Sequence, residues 1–396
     1  MKGFCRDTWV EVDLDAIRKN VQSLSNHLPA STSIMAIVKA DGYGHGSVQV
    51  AQEALASGAK ELGVSMLEEA IVLRNAGITA PILVLGYTPI DSIELACEQN
   101  IQLTAYHPEW VAQADSLLGQ KESAQVHARL GIHIKLDTGM GRLGIRQDSE
   151  LFAMINSIQH SEFIEWSGIY THFACADEED TSHVREQHDR FQSMLRVVKE
   201  AGYKLPKVHC CNSAAAMAFP EWGYDMVRFG IGLYGLYPST YIKEQEIISL
   251  QPALQLKTKI VHVKRPSQAY TVSYGATYEA KAEEQVATLP IGYADGFSRL
   301  LSNRGCVLHR GLRVPVVGRV CMDQIMVRID NEEANVGDEI VIYGRQGDEE
   351  ISLDEVGQLL GTINYEVSCM LNYRLPRVYL REGRVVEICH RINNKC

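Results

Sequence analysis

A lysine stands directly after a short apolar run near the start of the chain. Lys39 follows Ile34–Val38, and three glycines spaced two residues apart, Gly42, Gly44 and Gly46, come after it. A lysine amine beside apolar side chains is desolvated, which lowers its pKa and makes it nucleophilic toward an aldehyde. We therefore predict a covalent role for Lys39, the alternative being a solvated loop charge.

Polar residues also stand at or directly after the ends of four later apolar runs. The bidentate fork of Arg142 suits a carboxylate clamp. The run Cys211-Asn212-Ser213 either caps the small-residue helix after it or directs a hydroxyl and amides at an anion, and Gly230 to Gly232 would complete that anion site. His172 is either a packed core histidine or a catalytic neighbour. The full set of such residues is Lys135, Asp137, Thr138, Gly139, Arg142, His172, Asn212, Ser213, Arg228, Gly230 and Gly232.

The elements that must position these residues are short β-branched runs alternating with helical patterns. The runs are Ile34–Val38, Leu62–Ser65, Ile82–Leu85, Ile101–Thr104, Ala128–Leu136, Gly168–Thr171, Lys207–Cys210 and Met226–Phe229, and the clearest helical patterns are Ser47–Gly58, Met66–Gly77 and Thr181–Gly202. Such alternation implies parallel strands, and eight repeats predict an α/β fold of the (β/α)8 TIM-barrel type. A doubly wound sheet is disfavoured because its Gly-x-Gly-x-x-Gly signature is missing. In a barrel, the polar residues above would share one face.

After about Leu236 the pattern changes to alternating apolar and polar residues, which predicts a mostly antiparallel β domain. We place the barrel at residues 1–240 and the β domain at 241–396, with Pro238–Ser249 as linker and the first residues free to pack with the β domain. Tyr274 and Tyr293 are framed by glycines there, and packing is their default interpretation. The predicted strands are Leu254–Val263, Gln285–Leu289, Val314–Val320, Gln324–Ile329, Glu339–Tyr343 and Arg384–Ile388.

Composition limits the classes of protein to which the chain can belong. It has 396 residues, 46% of them hydrophobic, and a formal net charge of -11, which argues against nucleic acid as a partner. We find neither a signal peptide nor an apolar run long enough to span a membrane. The ten cysteines form no regular framework and no C-x-x-C pair. We therefore expect reduced thiols, no metal site and a cytoplasmic location.

Taken together, these segments resemble the alanine racemase family, the barrel-fold (fold-type III) pyridoxal phosphate enzymes. The resemblance runs from the segment around Asp7 to Arg377. An ordered set of matching segments is far more specific than a single motif. Besides the segment around Lys39, the matches are Asp137–Gly144, Val227–Gly235, Ser273–Tyr278, Pro290–Gly296, Gly318–Gln324 and Ile363–Val367.

The resemblance implies that Lys39 binds pyridoxal 5′-phosphate as a Schiff base and acts as one catalytic base, with Tyr274 as the opposing base. Arg228 would face the pyridine nitrogen, and His172 would lie between Arg228 and Tyr274. Such a pair would supply the positive charge that a tyrosine base requires. The residues implied to hold the phosphate are Tyr43, Ser213, Gly230, Ile231 and Tyr365.

For the substrate, the resemblance implies that Arg142 and the backbone at Met322 bind the carboxylate. Lys135 matches a lysine that is carbamylated in many members and braces the arginine, and Tyr293 and Asp323 would line the entrance. Family members are homodimers with shared active sites, in which each β domain supplies its tyrosine base to the partner's barrel.

The implied activity is a two-base interconversion of L-alanine and D-alanine, supplying D-alanine for peptidoglycan. Asp41-Gly42 departs from the Asn-Ala of many members, which leaves room for altered substrate tolerance. The alternatives are a broader or serine-preferring racemase, a barrel-fold amino-acid decarboxylase and a non-catalytic pyridoxal phosphate-binding protein. A decarboxylase is disfavoured because its cysteine-containing substrate motif is absent, and the binding protein because such proteins lack the long β domain.

Overall fold

The computed structural model describes residues 4–120, 129–330 and 333–393. Within these ranges the chain forms two compact units. The barrel unit comprises the described parts of 16–42 and 47–251, and the β unit comprises those of 1–15, 43–46 and 252–396. Each unit is described by itself.

The barrel unit contains the eight parallel strands that the sequence predicts, so the barrel prediction is confirmed. Their order in the sheet is sequential, and the eighth strand pairs with the first. Between the seventh and eighth strands, the amide of Asp225 donates to the carbonyl of Val208 at 3.1 Å, and that of Arg228 donates to Cys211 at 3.0 Å. The strands are Ser33–Ile37, Glu61–Val64, Ile82–Val84, Gln102–Ala105, Leu130–Lys135, Ile164–Tyr170, Lys207–His209 and Met226–Phe229. Ala128, the predicted start of the fifth, lies outside the described residues.

Helices between the strands follow the predicted pattern. Ser182–Glu200 buries Val184, Phe191 and Val198, which lie seven residues apart on one face. Gly202 ends this helix with a positive φ of 88°, a conformation that glycine adopts without a Cβ penalty. The helices are Leu14–His27, Ser47–Ala56, Leu67–Asn75, Ile93–Glu98, Pro108–Gly119, Asp148–Gln159, Ser182–Glu200, Ser213–Ala218 and, within the predicted linker, Thr240–Glu244.

The β unit is built mainly from antiparallel strands, as predicted. Thr8–Asp13 lies inside its largest sheet, antiparallel to Leu254–Lys259 and parallel to Arg377–Arg381. Residues alternate between buried and partly exposed along Leu254–Lys259, so one face of the strand packs into the core. The other strands are His262–Lys264, Tyr270–Val272, Tyr278–Ala280, Val286–Leu289, Cys306–His309, Leu312–Pro315, Ile325–Arg328, Glu339–Gln346, Glu349–Ile351 and Arg384–Cys389, and the helices are Leu353–Leu360 and Asn364–Cys369.

Three expectations are wrong in this unit. The predicted strand Leu254–Val263 is two strands, Leu254–Lys259 and His262–Lys264, which belong to different sheets. The predicted strand Val314–Val320 is instead Leu312–Pro315, because Pro315 lacks an amide donor and Gly318 adopts a positive φ of 75°. Cys389 is disulfide-bonded, whereas thiols were expected throughout. The eight other described cysteines are free. No helix in the described part of the chain combines the length and apolarity needed to cross a membrane.

Candidate active site

The backbone directly after Lys39 forms a left-handed turn. Ala40, Asp41 and Gly42 have φ values of 51°, 54° and 61°, each with ψ near the left-handed region. This conformation costs roughly 1–2 kcal/mol for each L-residue. Local hydrogen bonds offset the cost: the amide of Gly42 donates to Val38 at 2.9 Å, and that of Ser47 donates to the Asp41 carboxylate at 3.1 Å. Lys39 itself is partly exposed at the end of the first barrel strand.

Arg228 is buried within the eighth strand and its guanidinium is held by four acceptors. It donates to Nδ1 of His209 at 2.9 Å, to the carbonyls of Thr171 and Cys210 at 2.8 Å each, and to Nδ1 of His172 at 3.2 Å. Burial lowers the pKa of Arg228 from its usual value, but guanidinium remains charged at working pH. The arrangement fixes a positive donor inside the barrel.

His172 lies two residues beyond the sixth strand, beside Arg228. Its pKa is well below the usual value of 6.5, first because of burial and then because of the charges of Arg228, Lys135, Arg142 and Lys39. The ring is therefore neutral at physiological pH, so the positive charge of the predicted pair resides on Arg228. The charges of all four groups act on His172, and Arg228 contacts its Nδ1 directly.

Lys135 ends the fifth strand and is only 6% exposed. Its ammonium donates to the carbonyl of Leu136 at 2.9 Å and lies 5.0 Å from the centre of the Tyr170 ring. Burial, with the charge of Arg228 next, lowers its pKa well below 10.5, while Asp137 opposes the shift. A lysine of this kind has an increased fraction of neutral, nucleophilic amine. The predicted partner Arg142 is exposed in the following loop.

Ser213 lies against the loop Gly230–Gly232, where the anion site is predicted. The Ser213 hydroxyl oxygen accepts from the amides of Gly230 at 2.8 Å and Gly232 at 3.4 Å. An oxygen that accepts two amides keeps its own proton for donation outward. Asn212 is the helix N-cap and accepts from Ala215 at 2.9 Å, so capping belongs to Asn212 and Ser213 is released from that role. This donor set fits a phosphate monoester.

In the β unit, Tyr274 is 70% exposed at the start of a short 3-10 turn. Ser273 before it has φ 67° and ψ -177°, a region that is essentially restricted to glycine. The Ser273 hydroxyl donates to the carbonyl of Arg319 at 2.6 Å, which ties the turn down. Tyr274 therefore projects from a strained and anchored backbone.

Two predicted phosphate ligands are neighbours in the β unit. The rings of Tyr43 and Tyr365 lie 6.2 Å apart, centre to centre, at an angle of 53°. Tyr43 is 7% exposed, and Tyr365 is partly exposed on the helix Asn364–Cys369.

The predicted entrance and carboxylate residues of the β unit are also close together. The amide of Ala294, next to Tyr293, donates to the Met322 carbonyl at 3.1 Å. A Cβ on Gly292 would lie 2.3 Å from that carbonyl, so the approach requires glycine. Asp323 accepts from Arg374 at 2.7 Å.

Four residues that support the site were missed. His133 and His209 extend the Arg228 network, Glu69 accepts the amide of Ala40 after Lys39, and Ser273 precedes Tyr274 in a strained conformation. His133 lies two positions before Lys135 on the same strand. Because side chains two apart in a strand point to the same face, this spacing could have indicated that His133 lies near Lys135. For Glu69 and Ser273, no local sequence pattern reveals the contact.

Family models match both parts of the chain. The model described as "Alanine racemase, N-terminal domain" matches residues 12–238, and "Alanine racemase, C-terminal domain" matches residues 253–379. The chain is 54% identical over 390 residues to "Alanine racemase 2" of Bacillus subtilis, covering 98% of each protein.

Solved structures agree with the family models. An alanine racemase from Bacillus anthracis with bound L-Ala-P superposes with a TM-score of 0.94 at 45% identity, covering 99% of this chain and 100% of that one. A histidine racemase from Leuconostoc mesenteroides superposes at 0.85 with 30% identity, covering 96% and 99%. This chain belongs to the alanine racemase family, whose members depend on pyridoxal phosphate.

Proposed function

We propose that the protein is an alanine racemase that interconverts L-alanine and D-alanine. The observation that carries the proposal is the buried Arg228, whose guanidinium is fixed by His209, His172 and two carbonyls. A guanidinium does not give up its proton, so it leaves a ring nitrogen that it contacts unprotonated. At the pyridine ring of pyridoxal phosphate, this would restrain the electron-withdrawing power and favour racemisation over side reactions such as transamination.

Lys39 would hold the cofactor through its amine, and Arg228 would contact the pyridine nitrogen. Pyridoxal phosphate, when bound, delocalises the electron pair left by removal of the α-proton of an amino acid. The hydroxyl of Ser213 and the amide at Ile231 would donate to the phosphate, and the Gly230 amide, which donates to Ser213, would hold that hydroxyl in place. Tyr43 and Tyr365 complete the proposed phosphate ligands.

Racemisation requires that a proton leave one face of the α-carbon and arrive on the other. We assign Lys39 Nζ to one face and the Tyr274 hydroxyl to the opposite face. A free tyrosine has a pKa of about 10, so this role needs positive charge nearby, which Arg228 supplies in this assignment. Arg142 and the Met322 backbone would hold the substrate carboxylate, with Lys135 bracing Arg142 and with Tyr293 and Asp323 at the entrance.

We further propose a homodimer in which Tyr274 of one copy serves the barrel of the other. The 70% exposure of Tyr274 supports this arrangement, because the side chain is available to a second chain. We also propose that the protein is cytoplasmic and that it supplies D-alanine for peptidoglycan.

The decisive experiment measures the conversion of L-alanine to D-alanine, and the reverse, by purified protein supplied with pyridoxal phosphate. Lys39→Ala should abolish turnover and stable cofactor retention. Tyr274→Phe should lower turnover while leaving the cofactor bound. Wild-type turnover in both directions by Tyr274→Phe would refute the two-base assignment. Carbon dioxide release in place of racemisation would identify a decarboxylase.

A second candidate is a racemase of broader substrate range. The similarity to a histidine racemase at 30% identity favours testing it, since this fold accommodates larger side chains in that relative. A panel of L- and D-amino acids, including serine and histidine, would separate the two. A ratio of kcat/KM for alanine over serine near unity would favour the broader activity.

A further inference from the structure

The turn after Lys39 is held by a carboxylate from a neighbouring element. Glu69 lies in the first turn of the helix Leu67–Asn75. Its Oε1 accepts the amide of Ala40 at 2.6 Å, and its Oε2 accepts the amides of Ser65 at 2.8 Å and Met66 at 3.2 Å. One side chain thus joins the loop after the first barrel strand to the loop after the second.

The hydrogen bond between Ala40 and Glu69 restrains the backbone of Lys39 itself. The peptide between Lys39 and Ala40 is planar, so fixing the Ala40 N–H also fixes the carbonyl of Lys39 and its ψ angle. The left-handed conformations of Ala40 and Asp41 are rarely adopted by L-residues, so this turn needs an external restraint. The charge-assisted bond from Ala40 to Glu69 provides one.

We propose that Glu69 is a positioning residue for Lys39: its carboxylate sets the direction in which the lysine amine leaves the first strand. The inference rests on the proposed function, since Lys39 is the cofactor lysine there. The role requires two acceptor oxygens at glutamate length. Glutamine has one acceptor oxygen and two amide donors, so it can serve one loop only, and aspartate is too short to reach both.

A matched control lies beside it in the sequence. Glu68 occupies the same first helical turn and is exposed. Glu68→Gln therefore makes the same change in charge, and the same change in the field at the helix N-terminus, as Glu69→Gln. A difference between the two variants reports the contacts of the Glu69 carboxylate rather than net charge, and amide exchange at Ala40 isolates the contact with Ala40 from those with Ser65 and Met66.

The experiment compares wild type, Glu69→Gln, Glu69→Asp and Glu68→Gln in three measurements. These are amide hydrogen exchange at Ala40 in the apoprotein, the rate at which cofactor absorbance develops on adding pyridoxal phosphate, and kcat and KM for alanine. We expect Glu69→Gln to speed exchange at Ala40 at least tenfold, to slow reconstitution and to lower kcat ten- to a hundredfold with KM changed less than threefold. Glu68→Gln should match wild type in all three.

The outcomes separate the inference from the function it rests on. If wild type racemises alanine and Glu69→Gln retains its kcat and reconstitution rate, Glu69 is structural and the inference is overturned, even if exchange at Ala40 rises. If wild type does not racemise alanine, the proposed function fails, while exchange at Ala40 and reconstitution still test the restraint. Should Glu69→Gln not fold, Glu69→Asp decides, and a wild-type profile for that variant would also overturn the inference.

Discussion

Nδ1 of His209 accepts a hydrogen bond from the Arg228 guanidinium at 2.9 Å, and both side chains are buried. Because arginine can only donate, this nitrogen carries no proton and Nε2 of His209 carries one. That proton is donated to Nδ1 of His133 at 2.9 Å, and Nε2 of His133 donates to Gln102 at 3.2 Å. Because Arg228 can only donate hydrogen bonds, each histidine is held in one tautomer, and both histidines must be neutral.

The first prediction is that the hydrogen-bonded side chains of Arg228, His209 and His133 make the protein sensitive to acid. Burial, reinforced by Arg228, lowers the pKa of His133 to about 3 and that of His209 well below 6.5. Below the unfolded pKa of about 6.5, the unfolded chain binds these protons and the folded chain does not. The free energy of unfolding therefore falls as pH decreases, with a slope of up to about 2.7 kcal/mol per pH unit from two histidines.

Urea unfolding of the apoprotein between pH 5 and 7 measures this slope. His133→Gln should make it shallower. His160→Gln is the control, because His160 is exposed directly after the helix Asp148–Gln159. Equal slopes for wild type and His133→Gln would show that the ring of His133 does not remain neutral.

The second prediction concerns Gly168, which pairs with His133 on the adjacent strand. A Cβ at Gly168 would lie 2.3 Å from Nδ1 of His133, the atom that accepts from His209. Gly168→Ala should displace the ring and destabilise the protein by about 1–3 kcal/mol, as for other overpacked cores. Turnover should fall as well, because His209 loses its partner behind Arg228.

Thermal unfolding and kcat check this second prediction. Gly119→Ala is a suitable control, since its Cβ would lie 3.1 Å from the flexible ring of Phe163, and a change within about 0.5 kcal/mol is expected. If Gly168→Ala were as stable and active as Gly119→Ala, the position of the His133 ring would be unimportant.

The barrel could be predicted from the sequence because each strand and helix carries its own period. Ser33–Ile37 and Met226–Phe229 are far apart in the chain yet were both identifiable as buried runs. The parallel pairing of Thr8–Asp13 with Arg377–Arg381 depends on tertiary contacts, and nothing local in either segment reveals it. Several predicted barrel residues, such as Lys39, Lys135 and His172, lie at or just after strand ends, whereas Glu69 contacts two loops, and such a contact has no sequence period.

The third prediction follows from the buried Lys135. Its pKa is well below 10.5 in the folded protein, chiefly because of burial, so the unfolded state binds the proton more readily. Stability should therefore rise with pH between the folded pKa and about 10.5 and should lose this gain as pH falls. Lys135→Met should flatten that part of the pH profile in bicarbonate-free buffer.

Unfolding free energies between pH 7 and 10 would check the behaviour of Lys135. The exposed Lys60 offers the control, since Lys60→Met should leave the slope as it is in wild type. Adding labelled bicarbonate to the wild type would also test whether the neutral amine forms a carbamate. A slope unaltered by Lys135→Met would mean that the lysine is protonated normally.

The last prediction concerns the strain at Ser273, whose φ of 67° and ψ of -177° suit glycine alone. Ser273→Gly and Ser273→Ala both lose the hydroxyl bond to Arg319 and differ only by a Cβ. Ser273→Gly should therefore be more stable than Ser273→Ala by roughly 1–2 kcal/mol. At the exposed strand residue Thr271 the order should reverse, with Thr271→Ala more stable than Thr271→Gly by about 0.5–1 kcal/mol. Ser273→Gly should nevertheless racemise more slowly than Ser273→Ala, because a freed backbone no longer holds Tyr274 in one direction. Thermal unfolding and kcat of the four variants check this prediction. If Ser273→Ala were as stable as Ser273→Gly, the backbone at Ser273 would store no strain.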